Sequence, residues 1–426
     1  METKKIIVLG GGYSGIAAAK AFQKKLGTSS YVEITLIEKN SYHTLLTELH
    51  EAAAGRVRPS ALRISYDDIF KSHSPNFLLI QDEILNIDFD EKELRSASHC
   101  YSYDYLVIAT GSRPEFFGIQ GVEHYGFKLW SYKEAVVLRD HIHDCFYQAS
   151  ATDSRELRQT LLTFAVAGGG FTGVEMAGEL SGYCKALCRK FAVPQEDVSI
   201  YLIEAMPSIL GNLKSSIIQQ AMKYLKKLGV EVLTNCSIQQ TSGKKIFLSN
   251  DKVIEGTLIW TAGIKGNPYI QKADIDLDHR NRIKSNQFLQ SIQHETVFCA
   301  GDTISYLYKD KPLPQIVENA MQSGETAALN ICHILEGKAL QSYEPKFHGS
   351  MISIGPLYAV AMIGKTKVTG ILATLLKHFV HGHYHFHIGG PMLASEYLKE
   401  QFIVKYVDPV ISKSSEALDK QVTQFL

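Results

Sequence analysis

Two stretches of the chain repeat a glycine spacing that can bind a nucleotide phosphate. They are VLGGGYSGIA at residues 8–17 and VAGGGFTGVE at residues 166–175. In a Gly-x-Gly-x-x-Gly pattern the first glycine makes a tight turn, the second lets the backbone approach a pyrophosphate, and the third lets the next helix pack closely. The sequence therefore predicts two dinucleotide-binding clamps. Their glycines are Gly10, Gly12, Gly15, Gly168, Gly170 and Gly173.

Each clamp lies between a predicted strand and a predicted helix, as the motif requires. In the first unit an apolar strand at residues 4–10 contains the first glycine, helical spacing continues to Leu26, and a second strand ends near Glu38. The second unit has the same order, and its second strand ends near Glu204. A carboxylate in this place accepts hydrogen bonds from ribose hydroxyls and repels a 2′-phosphate. We therefore expect Glu38 and Glu204 to bind ribose, and Glu204 to select NADH over NADPH.

Three shorter signatures indicate that the clamps hold different cofactors, although a duplicated NAD site would also contain two clamps. ATGSRP at residues 109–114 and TAGIKGNP at residues 261–268 each follow an apolar strand, and the strand VFCAGD ends at Asp302. This order resembles the two-dinucleotide-binding flavoprotein superfamily. The resemblance implies that the first clamp holds FAD, that the second holds NAD(P)H, and that Asp302 contacts the ribityl–phosphate arm of the flavin. For Asp302 alone, a helix N-cap is the alternative.

Longer stretches resemble the type II NADH:quinone oxidoreductases, which are non-pumping respiratory flavoenzymes. These stretches are YHTLLTELHEAAAG, GGGFTGVEMAGEL, WTAGIKGNP, VFCAGD and GSMISIGPLYAVAMIG, in that order. The resemblance implies non-covalent FAD with Thr47 facing its isoalloxazine ring, NADH as the electron donor and a membrane quinone as the acceptor. The other residues that we assign to cofactor binding are Tyr13, Ser14, Lys39, Ile84, Thr110, Gly111, Gly263 and Ala320.

Glu175 is the candidate for a proton relay. The resemblance implies that it lies near the nicotinamide and the flavin, where it would help to pass protons to the quinone. It also follows Gly173 by two residues, in the first turn of a predicted helix, where the helix dipole favours any acid. Its position alone therefore leaves a structural role open.

The predicted acceptor site departs from the family's sequence. The family has Ala-Gln-x-Ala-x-Gln after the GD strand, whereas this chain has VENAMQ at residues 317–322. Gln322 is retained and Glu318 replaces the first glutamine, one helical turn away on the same face. An ionised Glu318 only accepts hydrogen bonds, whereas a protonated one, which burial would favour, can donate. We predict that both residues border the acceptor, which is then an unusual quinone or a different molecule.

The seven cysteines do not indicate disulfide chemistry. They form no Cys-x-x-Cys pair, and their odd number argues against a disulfide framework and suits a reducing cytosol. The stretch after Glu38 lacks the redox cysteine pair of the disulfide reductases. Cys184 and Cys188 share one helix face and are predicted to be packed thiols. Electrons must therefore leave the flavin for an external acceptor.

The C-terminal region predicts two amphipathic helices, VTGILATLLKHFV at residues 368–380 and PMLASEYLKEQFIVKYV at residues 391–407. The resemblance favours contact with a membrane surface. The pattern alone favours packing on the core or on a second copy in a homodimer. Between the helices, alternate histidines would share one face of an extended strand, but no carboxylate or cysteine accompanies them, so we predict no metal site. They are His381, His383, His385 and His387.

Composition and length limit the class of protein. Lys+Arg and Asp+Glu balance at 44 each, which gives no bulk attraction to nucleic acid. The N-terminus enters a strand without a signal peptide, and no apolar stretch reaches the roughly 20 residues of a spanning helix. We therefore expect a cytoplasmic protein, peripheral on the inner face of the cell membrane.

The 426 residues suit two or three domains. We predict an α/β fold with two Rossmann-like domains: an FAD domain at residues 1–125 and 265–340, and an NADH domain at 126–264 inserted in it. Residues 341–426 would form a C-terminal α+β region. The predicted reaction is hydride transfer from NADH to FAD and then two-electron reduction of a quinone. The alternatives are a soluble NADH-dependent flavoprotein reductase with another acceptor and an NADH-sensing flavoprotein.

Overall fold

A five-stranded parallel sheet, here called the first sheet, contains the N-terminal strand. The computed structural model describes residues 3–267 and 274–402. Along Lys4–Leu9, Ile6 and Val8 pack on one face of the sheet, and Ile7 and Leu9 pack on the other. A strand buried on both faces needs a continuous apolar run, which is why this stretch shows no polar alternation. In spatial order the strands are Val297–Cys299, Tyr105–Ile108, Lys4–Leu9, Val32–Glu38 and Phe77–Gln81.

A second parallel sheet has the same construction. Its central strand, Thr163–Ala167, is buried throughout. Phe164 and Val166 enter one apolar core, while Ala165 and Ala167 enter the core on the opposite face. Helices therefore cover one face of each sheet, and residues of a three-stranded antiparallel sheet join the core on the other face. In spatial order the strands of the second sheet are Phe127–Lys128, Thr257–Trp260, Thr163–Ala167, Ser199–Ile203 and Val230–Leu233.

The second sheet is inserted between two strands of the first. The chain leaves the first sheet after Tyr105–Ile108 and returns at Val297–Cys299, which pairs in parallel with Tyr105–Ile108. All strands of the second sheet fall between these two points. The predicted fold class, with two Rossmann-like units and the second inserted in the first, is therefore confirmed. The predicted domain boundaries stay predictions, and residues 268–273 and 403–426 lie outside the described part.

The helices of the described residues connect and cover these sheets. Helix α1 (Tyr13–Leu26) follows the first clamp and packs on α9 (Val317–Leu335). Helix α7 (Phe171–Phe191) follows the second clamp. The predicted extension of the second helix is confirmed, since α7 runs to Phe191 and ends where Ala192 adopts φ +53°. The α-helices are α1 Tyr13–Leu26, α2 Leu49–Ala53, α3 Tyr66–Ile69, α4 Val122–Tyr125, α5 Tyr132–Ser150, α6 Arg155–Leu161, α7 Phe171–Phe191, α8 Ser215–Lys227, α9 Val317–Leu335 and α10 Ile371–Phe402.

The C-terminal region forms an antiparallel sheet followed by the long helix α10. The strands of this C-terminal sheet are, in order, Gly349–Ser353, Ala359–Ile363 and Thr366–Gly370. Val368, which the sequence placed on the amphipathic helix, lies in the last strand instead. Helix α10 runs on to a kink at Gly390, where φ is +79°, and Pro391 follows. The part of the second predicted helix beyond residue 402 lies outside the described residues.

Helix α10 turns its polar side inward and its apolar side outward. Lys377 is 4% exposed, whereas Leu372 and Phe379 are 70% and 69% exposed. With Ile371 and Leu375 these two residues form a row that we call the apolar stripe. The stripe therefore does not pack on the core of its own chain. Among the described residues, no helix is both long enough and apolar enough to cross a bilayer.

Short strands complete the described structure. Three-stranded sheets lie beside the two large sheets, and four strand pairs close the loops between them. The three-stranded sheets are Asn86–Asp88, Glu93–Arg95 and Cys100–Ser102, and Ile238–Ser242, Lys245–Leu248 and Val253–Glu255. The pairs are Tyr42–Thr44 with Arg63–Ser65, Ser112–Pro114 with Ile264–Gly266, Ile283–Lys284 with Ile304–Ser305, and Leu307–Tyr308 with Lys311–Pro312.

Candidate active site

The first clamp turns tightly at the end of strand Lys4–Leu9. Gly10 has φ +102°, and a Cβ there would meet the carbonyl oxygen of Ala109 at 2.6 Å. A Cβ on Gly15 would lie 1.8 Å from the Gly10 carbonyl oxygen, so a larger residue would push α1 away from the strand. In contrast, no described atom lies within 4 Å of the Cβ position of Gly12. The clamp is closed where backbone packs and open where a pyrophosphate would approach.

The second clamp repeats this geometry. Gly168 has φ +103°, and a Cβ there would lie 2.9 Å from the Cα of Ala262. A Cβ on Gly173 would lie 1.8 Å from the Gly168 carbonyl oxygen, and the Cβ position of Gly170 meets no described atom within 4 Å. The two sequence repeats are therefore structural repeats, each with room for a pyrophosphate at a helix N-terminus.

Glu38 and Glu204 occupy equivalent places at the ends of their sheets' second strands. Glu38 Oε2 accepts the N–H of Gly11 at 2.8 Å, and Glu204 Oε2 accepts the N–H of Gly169 at 2.6 Å. These hydrogen bonds fix each carboxylate beside its own clamp. This is the place from which an acid contacts ribose in such folds. Their ribose contacts stay predictions.

The edge of the first cleft contains groups that a resident ligand would complete. The hydroxyl of Thr110 is buried and has no hydrogen-bond partner among the described residues. Gly111 has φ +64°, with no described atom within 4 Å of its Cβ position. Asp302 accepts from Ser112 Oγ at 2.7 Å instead of capping a helix, and burial raises the pKa of Asp302. A buried hydroxyl without a partner beside an open glycine fits the FAD predicted for this cleft.

Four more of the predicted cofactor residues lie around the same clamp. The hydroxyl oxygens of Tyr13 and Thr47 are 3.3 Å apart. Gly301 has φ +69°, and a Cβ there would lie 2.7 Å from Ser14 Oγ and 3.6 Å from the Cβ of Ala320. The start of α1, the start of α9 and the segment before α2 therefore meet beside the first clamp. Contact of these residues with the flavin stays a prediction.

The other three predicted cofactor residues lie elsewhere. Lys39 is exposed, with its Nζ 3.7 Å from a carboxylate oxygen of Glu83. The side chain of Ile84 is buried in the core of the first sheet. Gly263 has φ +72° and follows strand Thr257–Trp260 of the second sheet. The structure therefore does not direct the side chain of Ile84 into the cleft.

Glu175 binds the C-terminal sheet and lies just beyond the first turn of α7, which contains no acidic residue, so the predicted first-turn position is wrong. Its Oε1 accepts from the N–H of Ser353 at 3.1 Å and from the Ser353 hydroxyl at 3.0 Å. Nζ of Lys377 on α10 donates to the same hydroxyl oxygen at 2.8 Å. Nδ1 of His50 lies 3.8 Å from the other carboxylate oxygen. The serine hydroxyl thus links the buried cation to the carboxylate.

Further buried charges extend this network. Nζ of Lys377 donates to Glu51 Oε1 at 2.7 Å, and Arg56 also pairs with Glu51. Nε of Arg56 lies 3.0 Å from Glu179 Oε1, one helical turn beyond Glu175 on α7. Two cations therefore face three carboxylates in a largely buried space, and the charges balance when one of the carboxyls is protonated.

Burial and these neighbours set the protonation of the network. Burial raises the pKa of Glu175, and the Lys377 charge opposes only part of that rise. Burial alone would lower the pKa of Lys377, but the carboxylates of Glu51 and Glu175 outweigh it and raise the pKa. Burial and the Lys377 charge hold the pKa of His50 well below its usual range. Burial also raises the pKa of Glu179 to about 7, so Glu175 and Glu179 are both carboxyls that can exchange a proton beside a fixed positive charge.

The same network contains a cluster with the spacing of metal ligands. Ligand atoms of His50, Glu51 and Glu179 lie within 4.8 Å of one another. The cations of Arg56 and Lys377, however, already pair with these carboxylates. A divalent ion would have to enter against both positive charges, so the electrostatics disfavour a metal.

The predicted acceptor residues lie on α9 and bind the segment that leads into the C-terminal sheet. Gln322 donates to the carbonyl oxygen of Lys346 at 2.7 Å and accepts the Lys346 N–H at 2.9 Å. Glu318, one turn earlier, pairs with the ring Nδ1 of His348. The one-turn spacing thus directs both side chains to one segment. Its continuation, Gly349–Ser353, ends at the serine that binds Glu175.

The histidine-rich stretch is helical, so the extended arrangement considered from the sequence is wrong. His381 and His385 face inward, and His383 and His387 are exposed. Nδ1 of His381 lies 2.6 Å from Glu48 Oε1. Residues at i and i+4 share a helix face, so His381 and His385 lie together on the inward face of α10. The alternating histidines had suggested a strand.

The cysteine prediction is confirmed. Cys184 and Cys188 are buried free thiols on α7. Burial raises the pKa of both, which makes a reactive thiolate unfavourable.

Comparison with known proteins identifies the family. Residues 4–324 match the pyridine nucleotide-disulphide oxidoreductases. A type II NADH:quinone oxidoreductase of Staphylococcus aureus (strain MSSA476) is 33% identical over 399 residues, which cover 92% of this chain and 98% of the relative. The chain belongs to the type II NADH:quinone oxidoreductases. The resemblance drawn from the sequence is therefore confirmed.

Solved structures share the fold of this type II NADH:quinone oxidoreductase. NDH2 from Plasmodium falciparum in complex with NADH superposes with a TM-score of 0.84 at 18% identity, over 96% of this chain and 100% of that one. The sulfide:quinone oxidoreductase from Aquifex aeolicus superposes with a TM-score of 0.75 at 16% identity, over 96% of each chain.

Sequence reasoning missed several buried residues of this type II NADH:quinone oxidoreductase. Lys377 lies in a stretch that was predicted only as an amphipathic helix, and Ser353, Arg56 and His50 were not singled out. The available signal was a lysine in the middle of the C-terminal helix, far from any acidic residue in the sequence. Only the fold brings Glu51 to it, across more than 300 positions.

Proposed function

We propose that this protein oxidises NADH and reduces a quinone at a membrane surface, with FAD held non-covalently in the first cleft. FAD, when bound, accepts a hydride from NADH and passes two electrons to the acceptor. Family membership and the two open clamps support the proposal. The chain's own contribution is to orient the two nucleotides, to exclude water and to supply protons.

The buried network around Glu175 is the observation that carries the proposal. Reduction of a quinone to a quinol needs two protons for its two electrons, and a carboxyl with a raised pKa can hold one. Lys377 bonds to the same serine hydroxyl as Glu175, so its charge stabilises the carboxylate after the proton has left. Ser353 keeps both groups in fixed orientation. Glu175 is therefore the proposed proton donor, recharged through this network.

The acceptor end of the site is proposed to lie along α9. Glu318 and Gln322 are both partly buried and fasten the segment at residues 346–348. Glu318 satisfies the N–H groups of His348, so an amide donor is not available at that position. We place the quinone beside these two residues, held by fewer direct donors than an amide pair would offer.

The apolar stripe of α10 is proposed to contact the bilayer. Its residues are large, apolar and exposed, while the opposite side of the helix is buried by the network of charges. A helix of this kind lies in the interface plane without spanning the membrane. A second copy of the chain is the competing occupant of the stripe. Light scattering in detergent-free buffer separates the two, because a stripe-dependent dimer would dissociate in the Leu375→Ser variant.

Localisation on the inner face of the cell membrane and the boundaries of the FAD and NADH domains belong to the same proposal. A genomic fusion to a reporter that is active on only one side of the membrane tests the localisation. Limited proteolysis of the holoenzyme tests the domain boundaries. Cleavage is expected near residues 126 and 265. Cleavage only within either large sheet would contradict the boundaries.

Turnover with a quinone tests the proposed function directly. Purified protein is mixed with NADH and either a menaquinone or a ubiquinone analogue, and NADH oxidation is followed by absorbance. Rapid turnover with at least one quinone is expected. Turnover only with a protein acceptor would favour the soluble reductase, and a flavin that is reduced once without turnover would favour an NADH sensor.

A further inference from the structure

A groove beside the start of α10 has walls from two parts of the chain. One wall is α8, which connects two strands of the second sheet. The other wall is the C-terminal sheet with the first residues of α10. Its volume is about 870 Å³. We call it the lysine groove, because Lys223, Lys226 and Lys227 of α8 line it together with the exposed apolar residues Leu357, Ile371 and Leu372.

Both walls of the lysine groove lack acidic residues. Residues 205–230 contain no Asp or Glu, and neither do residues 345–395. The whole chain, in contrast, balances 44 acidic against 44 basic residues. Lys367 adds to the positive charge, since it shares a face of strand Thr366–Gly370 with Thr369, which lines the groove. A neutral chain thus concentrates uncompensated positive charge in one place, which favours an anion there.

The apolar stripe begins inside the lysine groove. Ile371 and Leu372 are its first two residues, and both line the groove. Tyr224 and Tyr358 stack across the groove with ring centroids 3.7 Å apart. Tyrosine and lysine beside exposed aliphatic side chains are the composition found at the headgroup level of a bilayer.

From these observations we infer that the lysine groove binds the headgroup of an anionic phospholipid. The phosphate lies among the lysines of α8, and an acyl chain follows the apolar stripe. The inference rests on the proposed membrane association and specifies its lipid chemistry. Lipid binding in the groove also attaches the unit built on the second sheet to the membrane surface, in addition to the attachment through α10. The groove therefore orients the clamps relative to the bilayer.

Co-sedimentation with vesicles tests the inference. Full-length holoenzyme is mixed with phosphatidylcholine vesicles and with vesicles of phosphatidylcholine and phosphatidylglycerol. Wild type is expected to bind the mixed vesicles more tightly. The double variant Lys223→Gln/Lys227→Gln is expected to bind them about tenfold or more weakly, since each lysine near an anionic surface contributes about 1 kcal/mol. Its binding to phosphatidylcholine alone and its NADH oxidation with a soluble quinone are expected to stay unchanged.

The matched control is Lys24→Gln/Lys25→Gln, which removes the same charge from exposed positions on α1. Equal losses of vesicle binding in the two double variants would overturn the inference, because they would indicate a general effect of charge. A preference for anionic vesicles that survives the groove variant would also overturn it. So would competition by inorganic phosphate alone, which would make the ligand a soluble anion, or a changed oligomeric state, which would make the occupant a second copy.

A further variant separates this inference from the function on which it depends. Leu375→Ser/Phe379→Ser alters the apolar stripe outside the groove and is expected to weaken binding to both kinds of vesicle. If wild type binds neither kind, the proposed membrane association fails. If wild type binds both equally and the stripe variant alone loses binding, membrane association stands and the lysine groove fails.

Discussion

The two clamps share one backbone geometry but differ in what supports them. At the first, the Gly11 carbonyl oxygen accepts the Tyr66 hydroxyl at 2.6 Å and lies 3.2 Å from Nδ1 of the buried His43. At the second, the Gly169 carbonyl oxygen accepts the backbone N–H of Leu210 at 2.8 Å. The first clamp is thus supported by side-chain groups, and the second by a backbone hydrogen bond from the segment after Glu204.

This difference separates a resident cofactor from an exchanging one. The first cleft also has a buried hydroxyl, on Thr110, that lacks a described partner. The second has the loop after Glu204, in which Met206 is exposed. A site that holds its ligand through every turnover gains from a rigid, enclosed support, whereas a site that releases product gains from an open one. The comparison therefore supports the proposal that FAD occupies the first clamp and NADH the second.

The Gly12→Ala variant should have the largest effect. Its Cβ meets no described atom, so the protein is expected to fold, but the methyl group lies where the pyrophosphate must approach. FAD content and NADH:quinone activity are expected to fall ~100-fold or more. Visible absorbance gives the flavin-to-protein ratio, and circular dichroism confirms the fold. Full flavin occupancy in a folded variant would contradict the assignment of the first clamp.

The equivalent Gly170→Ala variant should keep its flavin. Its Cβ is equally unobstructed in the protein, so only the nucleotide in the second cleft is displaced. We expect kcat/KM for NADH to fall ~100-fold with normal visible absorbance. Steady-state kinetics at saturating quinone measures this. Loss of flavin comparable to that of Gly12→Ala would mean that the clamps do not differ in role.

Glu175→Gln should slow quinone reduction by ~100-fold, the usual size of a lost proton donor. Burial raises the pKa of Glu175, so its protonated fraction is highest at low pH and disappears as pH rises through that pKa. Wild-type kcat should therefore decline with rising pH, and the variant should lack this decline. Flavin reduction by NADH, followed by stopped flow, serves as the internal control. An unchanged pH profile would remove Glu175 from proton delivery.

Glu204→Arg should shift preference toward NADPH by about tenfold, because a charged hydrogen bond to ribose is exchanged for attraction to a 2′-phosphate. Glu204 also accepts the Gly169 N–H, so Glu204→Gln, which keeps an acceptor oxygen, is the control for local structure. The ratio of kcat/KM values for the two nucleotides measures the change. No shift in Glu204→Arg would exclude the ribose contact.

Glu318→Gln should have the smallest effect. The amide supplies a donor beside the proposed quinone and removes the charge that pairs with His348. KM for the quinone is expected to fall about threefold, the value of one modest hydrogen bond. Gln322→Glu is the matched reverse change and should raise KM. If both variants leave KM unchanged, α9 does not border the acceptor.

The sequence was sufficient for the parts of the fold that local chemistry determines. The glycine clamps, their flanking strands and the acids at Glu38 and Glu204 all follow from short motifs whose geometry is nearly obligatory. Helix α10 was predicted, but it begins at Ile371 and not at Val368, and its orientation was not predicted. Periodicity shows that a helix has an apolar side and a polar side, and the apolar side usually packs on the core. In α10 the buried ion pairs of Lys377 place the polar side on the core instead.

The network around Glu175 could not be predicted for a different reason. Its members come from α2 and the turn after it, α7, the C-terminal sheet and α10, so no short window of sequence brings these four parts together. The extended arrangement of the histidine stretch was wrong for a similar reason. The alternating histidines are compatible with a strand, and only the packing of His385 against the rest of the chain favours the helix. Long-range packing, which local pattern does not contain, decided both.

One titration tests the difference between the clamps most directly. Purified full-length protein is recorded in the visible range, titrated with NADH without oxygen, and then mixed with a quinone. We predict a flavin spectrum before any addition, bleaching by NADH in wild type but only at far higher NADH in Gly170→Ala, and recovery of colour with quinone. Colourless protein that cannot be reconstituted with FAD, or bleaching at equal NADH in both proteins, would contradict the account.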